Sequence, residues 1–348
     1  MLFSWIEAND VRRRFSVGKL PAELLARLLE RYRLEDDRVV LGAGIGEDAA
    51  VLDLGDKYLV AKTDPITFAT DQIGWYAVHV NTNDLVTTGA TPLWFLATVL
   101  LPENESDEAL AEEVFRQIHD ACAALGVSLV GGHTEITYGL DRPIVIGQML
   151  GEVEKDSLVT TGGAKAGDAI VLTKGVAIEG TAIIARERET QLRQLGYAQD
   201  FIERAKRYLY EPGISVAREA TLASRSFRLH AMHDPTEGGL AMGLHELAEA
   251  AGVGLLIEEE RIHVLPECRK LCAEFELDPL GTIASGALLI TLPAEQAEGL
   301  VAVLDSQHIA ASVIGQVQPV QAGVKLQVGE SIVDLPRFAQ DEIAKLFA

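Results

Sequence analysis

The spacing of apolar residues predicts helices and strands that alternate along the chain. Residues 21–33 begin with Pro21 and place leucines on one face, which is typical of an amphipathic helix. Residues 107–125 repeat the helical spacing, and Gly126 then ends it. The apolar run at 93–101 is too short to cross a membrane and predicts a buried strand. These alternating patterns indicate an α+β fold in which helices cover sheets.

Shorter patterns predict the elements between these. In the first half we expect a helix at 72–89 and strands at 57–62, 127–130 and 144–150. The strand that begins at 57 should end near Asp64, and the strand at 127–130 should lead into a turn at Gly131 and Gly132. In the second half we expect strands at 169–173, 287–292 and 312–317, and helices at 180–189 and within 190–224. A further helix carries Leu240 and Leu244, with Thr236 or Asp234 as its cap.

A small and polar stretch at 160–168 is the best candidate for a boundary between two domains. The halves on either side contain strands and helices of comparable size, so we expect two α/β domains. The predicted division is an N-terminal segment, two domains and a tail, with the bounds 1–36, 37–155, 165–320 and 321–348.

The whole-chain composition narrows the class of protein. The 348 residues carry a formal net charge of −22, which repels phosphate polyanions, so we expect no nucleic-acid partner. No apolar run reaches the roughly 18 residues of a membrane span, and the first residues lack the pattern of a signal peptide. Three cysteines cannot form an extracellular disulfide framework. We therefore expect a cytoplasmic protein that does not bind a membrane.

Four short motifs carry the chemistry of the chain. Each combines a carboxylate or a hydroxyl with glycine near a predicted junction of strand and helix, where backbone N–H groups are exposed. The motifs are GEDAAV at 46–51, NDL at 83–85 with GATP at 89–92, GGHTE at 131–135, and HDPTEGGL at 233–240. Mg²⁺ takes hard oxygen ligands and bridges phosphates, so carboxylates beside anion-binding turns favour a magnesium–nucleotide site.

Each motif also has a structural interpretation. In this interpretation Asp48, which follows a glycine-rich loop, is a capping residue. Asp64 and Asp84 would need a partner if they are buried, and a metal, a helix cap or a salt bridge could supply it. Neither a Walker loop nor a dinucleotide fingerprint is present. Residues 175–181 have the glycine spacing of a P-loop without its lysine, which indicates an ordinary turn between strand and helix.

The histidines and cysteines carry weaker signals. His133 is either a packing residue or a catalytic one. His230 and His233 would point to opposite faces of a strand, which argues against a zinc site. Cys268 and Cys272 share one face of a predicted helix and are expected to fill a core, because a redox pair more often has the spacing Cys-x-x-Cys.

These residues resemble the superfamily of aminoimidazole ribonucleotide (AIR) synthetase, selenophosphate synthetase, thiamine-monophosphate kinase and the hydrogenase maturation protein HypE. The motifs occur in the family's order from about residue 18 to about residue 317, and the HypE branch is the most similar. The resemblance implies ATP and Mg²⁺ as cofactors, a small-molecule substrate and phosphoryl transfer. It also implies a homodimer in which the sheets of the N-terminal domains pair.

The resemblance assigns roles to individual positions of this chain. The acidic positions of the metal and phosphate site correspond to Asp48, Asp64, Asp84 and Asp234, of which Asp48, Asp84 and Asp234 are the candidate catalytic residues. The phosphate-contacting turn corresponds to Gly131, Gly132 and Thr134. The second glycine turn corresponds to Thr236, Gly238 and Gly239.

Three positions depart from the HypE pattern. HypE ends in a Pro-Arg-Ile-Cys tail whose cysteine carries the reacting carboxamide, whereas here Phe338 follows Pro336 and Arg337 and no cysteine comes after it. His133 stands where HypE has aspartate, and Glu237 stands where it has arginine. The leading hypothesis is a HypE-like enzyme that uses Mg-ATP to activate another small molecule. The alternatives are HypE itself with an unusual acceptor, and a nucleotide-binding regulatory protein without turnover.

Overall fold

A computed structural model describes residues 15, 20–42, 44, 49–67 and 71–347, and its first sheet has six strands. The spatial order is β1-β2-β3-β6-β4-β5, and only β4 and β5 run parallel to each other. The bounds are β1 Val39–Leu41, β2 Ala50–Asp53, β3 Lys57–Ile66, β4 Thr91–Pro102, β5 Ser128–Thr137 and β6 Ile144–Glu154.

Two helices cover one face of this sheet. The helices of this half are α1 Ala22–Tyr32, α2 Ile73–Val86 and α3 Glu108–Leu125. Along β6 the residues alternate between buried and half-buried, so Val145, Met149 and Val153 pack into the core with α2 and α3. Gly147 lets α2 lie close to the sheet, because a Cβ there would come within 2.4 Å of the Asn81 amide nitrogen. Gly126 ends α3, as the sequence predicts, and Asp107 caps its N-terminus.

Two predictions about the first sheet are wrong. β3 does not end at Asp64 but continues to Ile66, because β6 pairs with it as far as Val145. Gly131 and Gly132 do not form a turn, since β5 continues through both residues and pairs them with Leu96 and Ala97 of β4, after a register shift just before Gly131. Gly132 has a φ of +148°, and a Cβ on it would lie 1.9 Å from the carbonyl oxygen of Ala97. This glycine is therefore required by close strand pairing.

The second sheet has seven strands in the order β13-β12-β9-β11-β7-β10-β8. The bounds are β7 Asp168–Thr173, β8 Ala231–His233, β9 Gly254–Glu258, β10 Leu289–Pro293, β11 Ala311–Gln318, β12 Val324–Val328 and β13 Ser331–Asp334. The helices are α4 Ile178–Glu187, α5 Glu189–Gln194, α6 Gln199–Lys206, α7 Ala217–Ser226, α8 Gly239–Ala251, α9 Pro266–Glu274 and α10 Ala294–Ser306. Although β12 and β13 lie in the predicted tail, they extend this sheet beside β9.

Both faces of the second sheet are buried at its central strands, and one of these faces joins the first domain. In β7, Ile170 and Leu172 pack towards α8, whereas Ala169 and Val171 pack towards α7 and α10. The buried cluster on the α7 side continues through α2 into the core of the first sheet, so one apolar core connects the two domains. The predicted class, α+β with two α/β domains, is confirmed. Among the described residues, no helix combines the length and apolar character needed to cross a membrane.

Candidate functional site

Asp64 and Asp84 lie beside one lysine at the contact of β3 with α2. The Nζ of Lys62 is 2.6 Å from Oδ2 of Asp84 and 3.3 Å from Oδ2 of Asp64. Only 6% of the Asp84 side chain is exposed, against 41% of the Asp64 side chain. The structure therefore brings together two of the predicted acidic residues, and a cation supplies the partner that buried Asp84 requires.

Asn81 holds the strand that carries Asp64 in place. The amide oxygen of Asn81 accepts from the backbone N–H of Asp64 at 2.8 Å, and its nitrogen donates to the Asp64 carbonyl at 3.3 Å. The same nitrogen donates to the carbonyl of Ala77 in its own helix at 2.8 Å. Asn81 and Asp84 are three residues apart in α2 and so face the sheet together.

Lys62 is a site residue that the sequence reasoning missed. It stands two positions before Asp64 in a strand, so both side chains project from the same face. The sequence does contain a signal for Lys62, because a lysine two residues before an acidic candidate in a predicted strand lies on the same face as that candidate. Its ammonium group offsets part of the negative charge of the two carboxylates, and it would also attract a phosphate group.

The opposite side of α2 contacts the second domain. The side chain of Asn83 donates to the carbonyl of Ile214 at 2.7 Å and accepts from the N–H of Val216 at 2.9 Å. Nearby, buried Lys174 forms an ion pair of 2.8 Å with Glu219. Burial, together with the charge of Lys174, lowers the pKa of His79 to about 3, so this histidine is neutral at physiological pH. Asn83, the residue next to Asp84, thus fixes α2 against the second domain.

Asp234 and the second glycine turn lie in the C-terminal domain. Asp234 is buried directly after β8, and His233 before it contacts Glu246 at 3.0 Å. Gly238 and Gly239 both have a left-handed backbone, with φ of +78° and +66°. A Cβ on Gly239 would lie 2.5 Å from the carbonyl oxygen of Leu280, so the turn requires glycine for conformation and for space.

The cap of α8 differs from the prediction. Neither Thr236 nor Asp234 caps this helix: its N-cap is Gly238, which has no side chain. The carboxylate of Asp341, 103 residues later in the chain, accepts from the N–H of Gly238 at 2.7 Å. The backbone carbonyl of Thr236 instead accepts from Gly239 and Ala284, at 3.0 and 3.2 Å. Pattern reasoning could not find Asp341, because nothing local connects it to the turn.

A second buried carboxylate lies near this turn. The pKa of Glu179, at the start of α4, is raised to about 7, mainly by burial; a hydrogen bond from Ser285 opposes this shift, and the charges of Asp341 and Glu237 add to it. Burial also raises the pKa of Asp341, although its three backbone donors work in the opposite direction. The turn is therefore surrounded by carboxylates that differ in how readily they ionise.

The remaining predicted residues are placed as follows. Gly131, Gly132 and Thr134 lie on the exposed edge strand β5. On the same strand, Nε2 of His133 is 3.1 Å from Oε2 of Glu135. Asp48 lies outside the described residues, as do Gly46 and Glu47 of the same motif.

The histidines after α7 have separate partners, and the two cysteines of α9 lie in a core. His230 contacts Asp168 at 2.9 Å, whereas His233 contacts Glu246, so the two histidines have different partners. In the described part of the chain, no group of three or more histidine, cysteine or acidic side chains is arranged to hold a metal. Cys268 and Cys272 are buried on one face of α9 with their sulfurs 3.9 Å apart, which confirms the predicted core position.

The donors at the first cluster suit a hard divalent cation. The carboxylates of Asp64 and Asp84 approach the same ammonium group, so a cation position shared by both already exists. Carboxylate oxygens are the ligands that Mg²⁺ prefers, and a doubly charged ion between them would compensate their charge more fully than one lysine does. Two carboxylates do not complete a magnesium shell, so further ligands must come from phosphate, water or other parts of the chain.

Comparison with known proteins gives matches over both halves of the chain. The family model for the N-terminal domain of AIR synthase related proteins matches residues 46–153, and the model for their C-terminal domain matches residues 165–326. A putative hydrogenase expression/formation protein of Methanocaldococcus jannaschii is 30% identical, covering 92% of this chain and 94% of that protein.

Two further relatives extend the comparison. The carbamoyl dehydratase HypE of Cupriavidus necator is 28% identical over 82% of this chain and 79% of its own length. Among solved structures, hydrogenase maturation protein HypE in complex with ATP matches with a TM-score of 0.70 at 26% identity, over 94% of this chain and 97% of that one.

Proposed function

Because the chain belongs to the AIR synthase related family, we propose that it is a Mg-ATP-dependent enzyme that transfers a phosphoryl group to a small molecule and so activates it. The observation that carries this proposal is the cluster of Asp64 and Lys62 on β3 with Asp84 on α2, the helix that also contacts the second domain. The ATP complex of a relative that matches over nearly the whole chain supports nucleotide binding.

We assign the predicted residues to binding roles in this reaction. Asp64 and Asp84, with Asp48 and Asp234, would hold Mg²⁺, which neutralises the charge that develops on phosphate oxygens during transfer. Lys62 would turn from the carboxylates to a phosphate group as the metal enters. Asn81 fixes the backbone at Asp64 through two hydrogen bonds, so the Asp64 carboxylate would already be in position when Mg²⁺ binds. The second glycine turn, where Gly238 donates to Asp341 and Gly239 donates to the carbonyl of Thr236, stays a predicted contact for an anionic group.

The acceptor differs from that of HypE in this proposal. The tail here has no cysteine, and all three cysteines of the chain are buried. Burial raises the pKa of Cys122 to about 11, which leaves its thiol protonated and unreactive at neutral pH. The chain therefore has no exposed thiol to carry a carboxamide. We expect no carboxamide or nitrile adduct by intact-mass analysis after incubation with a carbamoyltransferase partner, carbamoyl phosphate and ATP. An adduct on any cysteine would restore the HypE reaction as the function.

We further propose a homodimer formed through the N-terminal sheets. The edge strand β5 is exposed along most of its length and presents the apolar side chains of Leu129, Val130 and Ile136. An uncovered apolar edge of this kind favours pairing with a second chain. Light scattering at micromolar concentration should give twice the 37.6 kDa mass of one chain. A monomeric mass would contradict this part of the proposal.

The proposed reaction is tested by measuring ADP release. We expect Mg²⁺-dependent ADP formation that rises when a pool of small carboxylates, amides and phosphorylated metabolites is added. Fractionating the pool would then identify the acceptor. Mg-ATP binding without ADP release in the presence of any pool would favour the nucleotide-binding regulatory protein. Absence of Mg-ATP binding would contradict both functions.

A further inference from the structure

A cavity of the second domain lies between the end of β7, the start of β11, the loop at 260–264 and Arg269 of α9. Its volume is about 360 Å³, which is within the range of small-molecule sites. Of the described residues proposed above to bind Mg²⁺ or phosphate, none lines this cavity. The proposed reaction therefore gives it no role.

Hydrogen bonds hold the loop of this cavity against the neighbouring strands. The N–H of Val176, just after β7, donates to the carbonyl of His263 at 3.1 Å. The hydroxyl of Ser312 in β11 donates to the carbonyl of Arg261 at 2.9 Å. Gly175 allows the close approach of the loop, because a Cβ there would lie 2.8 Å from the carbonyl oxygen of His263. The walls are therefore fixed, and a ligand would bind without ordering them first.

The lining of the cavity is mainly basic. The basic residues that line it are Lys174, Arg261, His263 and Arg269, whereas Glu260 is the one acidic residue among the described residues of the lining. The chain as a whole has a formal net charge of −22. An excess of basic residues at this one cavity is thus opposite to the charge of the rest of the protein, and it favours an anionic ligand.

The basic side chains differ in how far their charge is already compensated. Buried Lys174 forms an ion pair of 2.8 Å with Glu219 and donates to two backbone carbonyls, so its charge is used within the protein. Arg261 binds Glu258 through Nε at 2.8 Å, and its Nη2 has no hydrogen-bond partner among the described residues. Arg269 forms no hydrogen bond or ion pair with any residue that the structure describes. The two guanidinium groups are therefore available to a ligand.

Apolar residues supply the inner wall of the cavity. Leu172 and Ile262 are buried, while Arg261 and Arg269 are exposed. The two arginines thus lie at the mouth and the apolar surface lies within. A guanidinium group binds phosphate through paired N–H donors, and two such groups balance the charge of about −2 of a phosphate monoester.

We propose that this cavity binds a small phosphorylated molecule. Arg261 and Arg269 hold the phosphate group at the mouth, and the apolar wall contacts the rest of the molecule. The site is separate from the proposed Mg-ATP site and does not depend on the proposed function.

The test follows the binding of phenyl phosphate by phosphorus NMR, without Mg²⁺ or ATP. Arg269→Gln removes the guanidinium group that has no protein partner, so this change leaves the fold intact. The double variant Arg261→Gln/Arg269→Gln removes both groups. Arg116→Gln is the matched control, because it removes an exposed arginine from α3 of the first domain.

We expect phenyl phosphate to bind about threefold more weakly to Arg269→Gln and about tenfold more weakly to the double variant, since charge-assisted hydrogen bonds are lost. The control should match the wild type. Absence of binding by the wild type, or equal binding by the wild type and the double variant, would overturn the proposal.

Two further measurements locate the ligand and define its chemistry. Phenyl phosphate should slow amide hydrogen exchange at residues 260–264 and 310–312 in the wild type, and protection confined to other segments would overturn the assignment to this cavity. Benzoate has the same ring with a carboxylate, so it should bind more weakly than phenyl phosphate. Equal affinity for the two probes would contradict the choice of a phosphorylated ligand.

Discussion

The two acidic clusters of the molecule accommodate buried carboxylates in different ways. Asp64 and Asp84 of the first domain share the ammonium group of Lys62. Asp341 of the second domain is held by three backbone N–H groups, with Glu179 and Glu237 as charged neighbours. In the first cluster a lysine balances the negative charge of the carboxylates. In the second cluster backbone hydrogen bonds stabilise the Asp341 carboxylate, and the pKa values of Asp341 and Glu179 are raised.

This difference separates two kinds of chemistry. A carboxylate pair that shares one cation is suited to exchange that cation for Mg²⁺. The pKa of buried Glu179 is raised to about 7, so this carboxyl group binds a proton near neutral pH. Such a group is suited to proton transfer, or to binding or releasing a proton when a charged ligand approaches. We therefore propose that metal binds at the first cluster, with Asp234 of the second domain as a further ligand, and that Glu179 of the second cluster is the candidate for proton exchange.

Replacing Lys62 should have the largest effect. Lys62→Met leaves Asp84 buried next to Asp64 without its cation, and breaking a buried ion pair costs about 3 kcal/mol of unfolding free energy. Urea denaturation without Mg²⁺ measures this loss. Because added Mg²⁺ can replace the missing charge, it should restore more stability to the variant than to the wild type.

Two variants serve as controls for the Lys62 result. Lys57→Met removes an exposed lysine of the same strand, whose ion pairs with Glu152 and Glu154 are worth less than about 1 kcal/mol. The double variant Lys62→Met/Asp84→Asn should be more stable than Lys62→Met alone, since the unpaired charge is gone. A loss for Lys62→Met no larger than for Lys57→Met would show that the cluster does not depend on the cation.

The second cluster should make stability depend on pH. Since the pKa of Glu179 is raised in the folded chain to about 7, the folded state binds more protons than the unfolded state between about pH 4.5 and 7. Glu179 therefore contributes to the unfolding free energy below about pH 4.5, and this contribution is lost as the pH rises through 7. The loss amounts to roughly 1.4 kcal/mol for each unit by which the pKa is shifted.

Urea denaturation of Glu179→Gln checks this pH dependence. The stability of the variant relative to the wild type should be higher at pH 8 than at pH 5, because glutamine has no proton to lose. Glu187→Gln changes an exposed residue of the same helix and should show no such trend. A constant difference between Glu179→Gln and wild type at both pH values would argue against a raised pKa.

Removing a metal ligand should have a smaller effect, and mainly on binding. Asp84→Asn or Asp48→Asn should weaken Mg-dependent ATP binding tenfold or more, about 1.4 kcal/mol, because a ligand that neutralises phosphate charge is lost. Calorimetry measures this, with Asp56→Asn in the exposed β2–β3 turn as the control. Unchanged affinity in both Asp84→Asn and Asp48→Asn would refute the metal assignment.

Sequence patterns were reliable where the information is local. The bounds of α3 follow from helical spacing and from Gly126, both within a short stretch of chain. The buried strand around 93–101 and the core cysteines of α9 follow from apolar periodicity. The motif order led to the family, which the matches to both family models confirm. The candidate carboxylates at 64 and 84 could be selected in this way, but their partners could not.

The sequence by itself determined which segments form helices and which form strands, the family, and the residue types of the candidate site. Tertiary structure alone decided that Gly132 lies in a strand against Ala97, that Lys62 lies between Asp64 and Asp84, and that Asp341 caps α8. The physical reason is distance along the chain. Helix periodicity and caps act over a few residues, whereas strand pairing and the cap from Asp341 join residues that are 35 to 103 positions apart and depend on how whole elements pack.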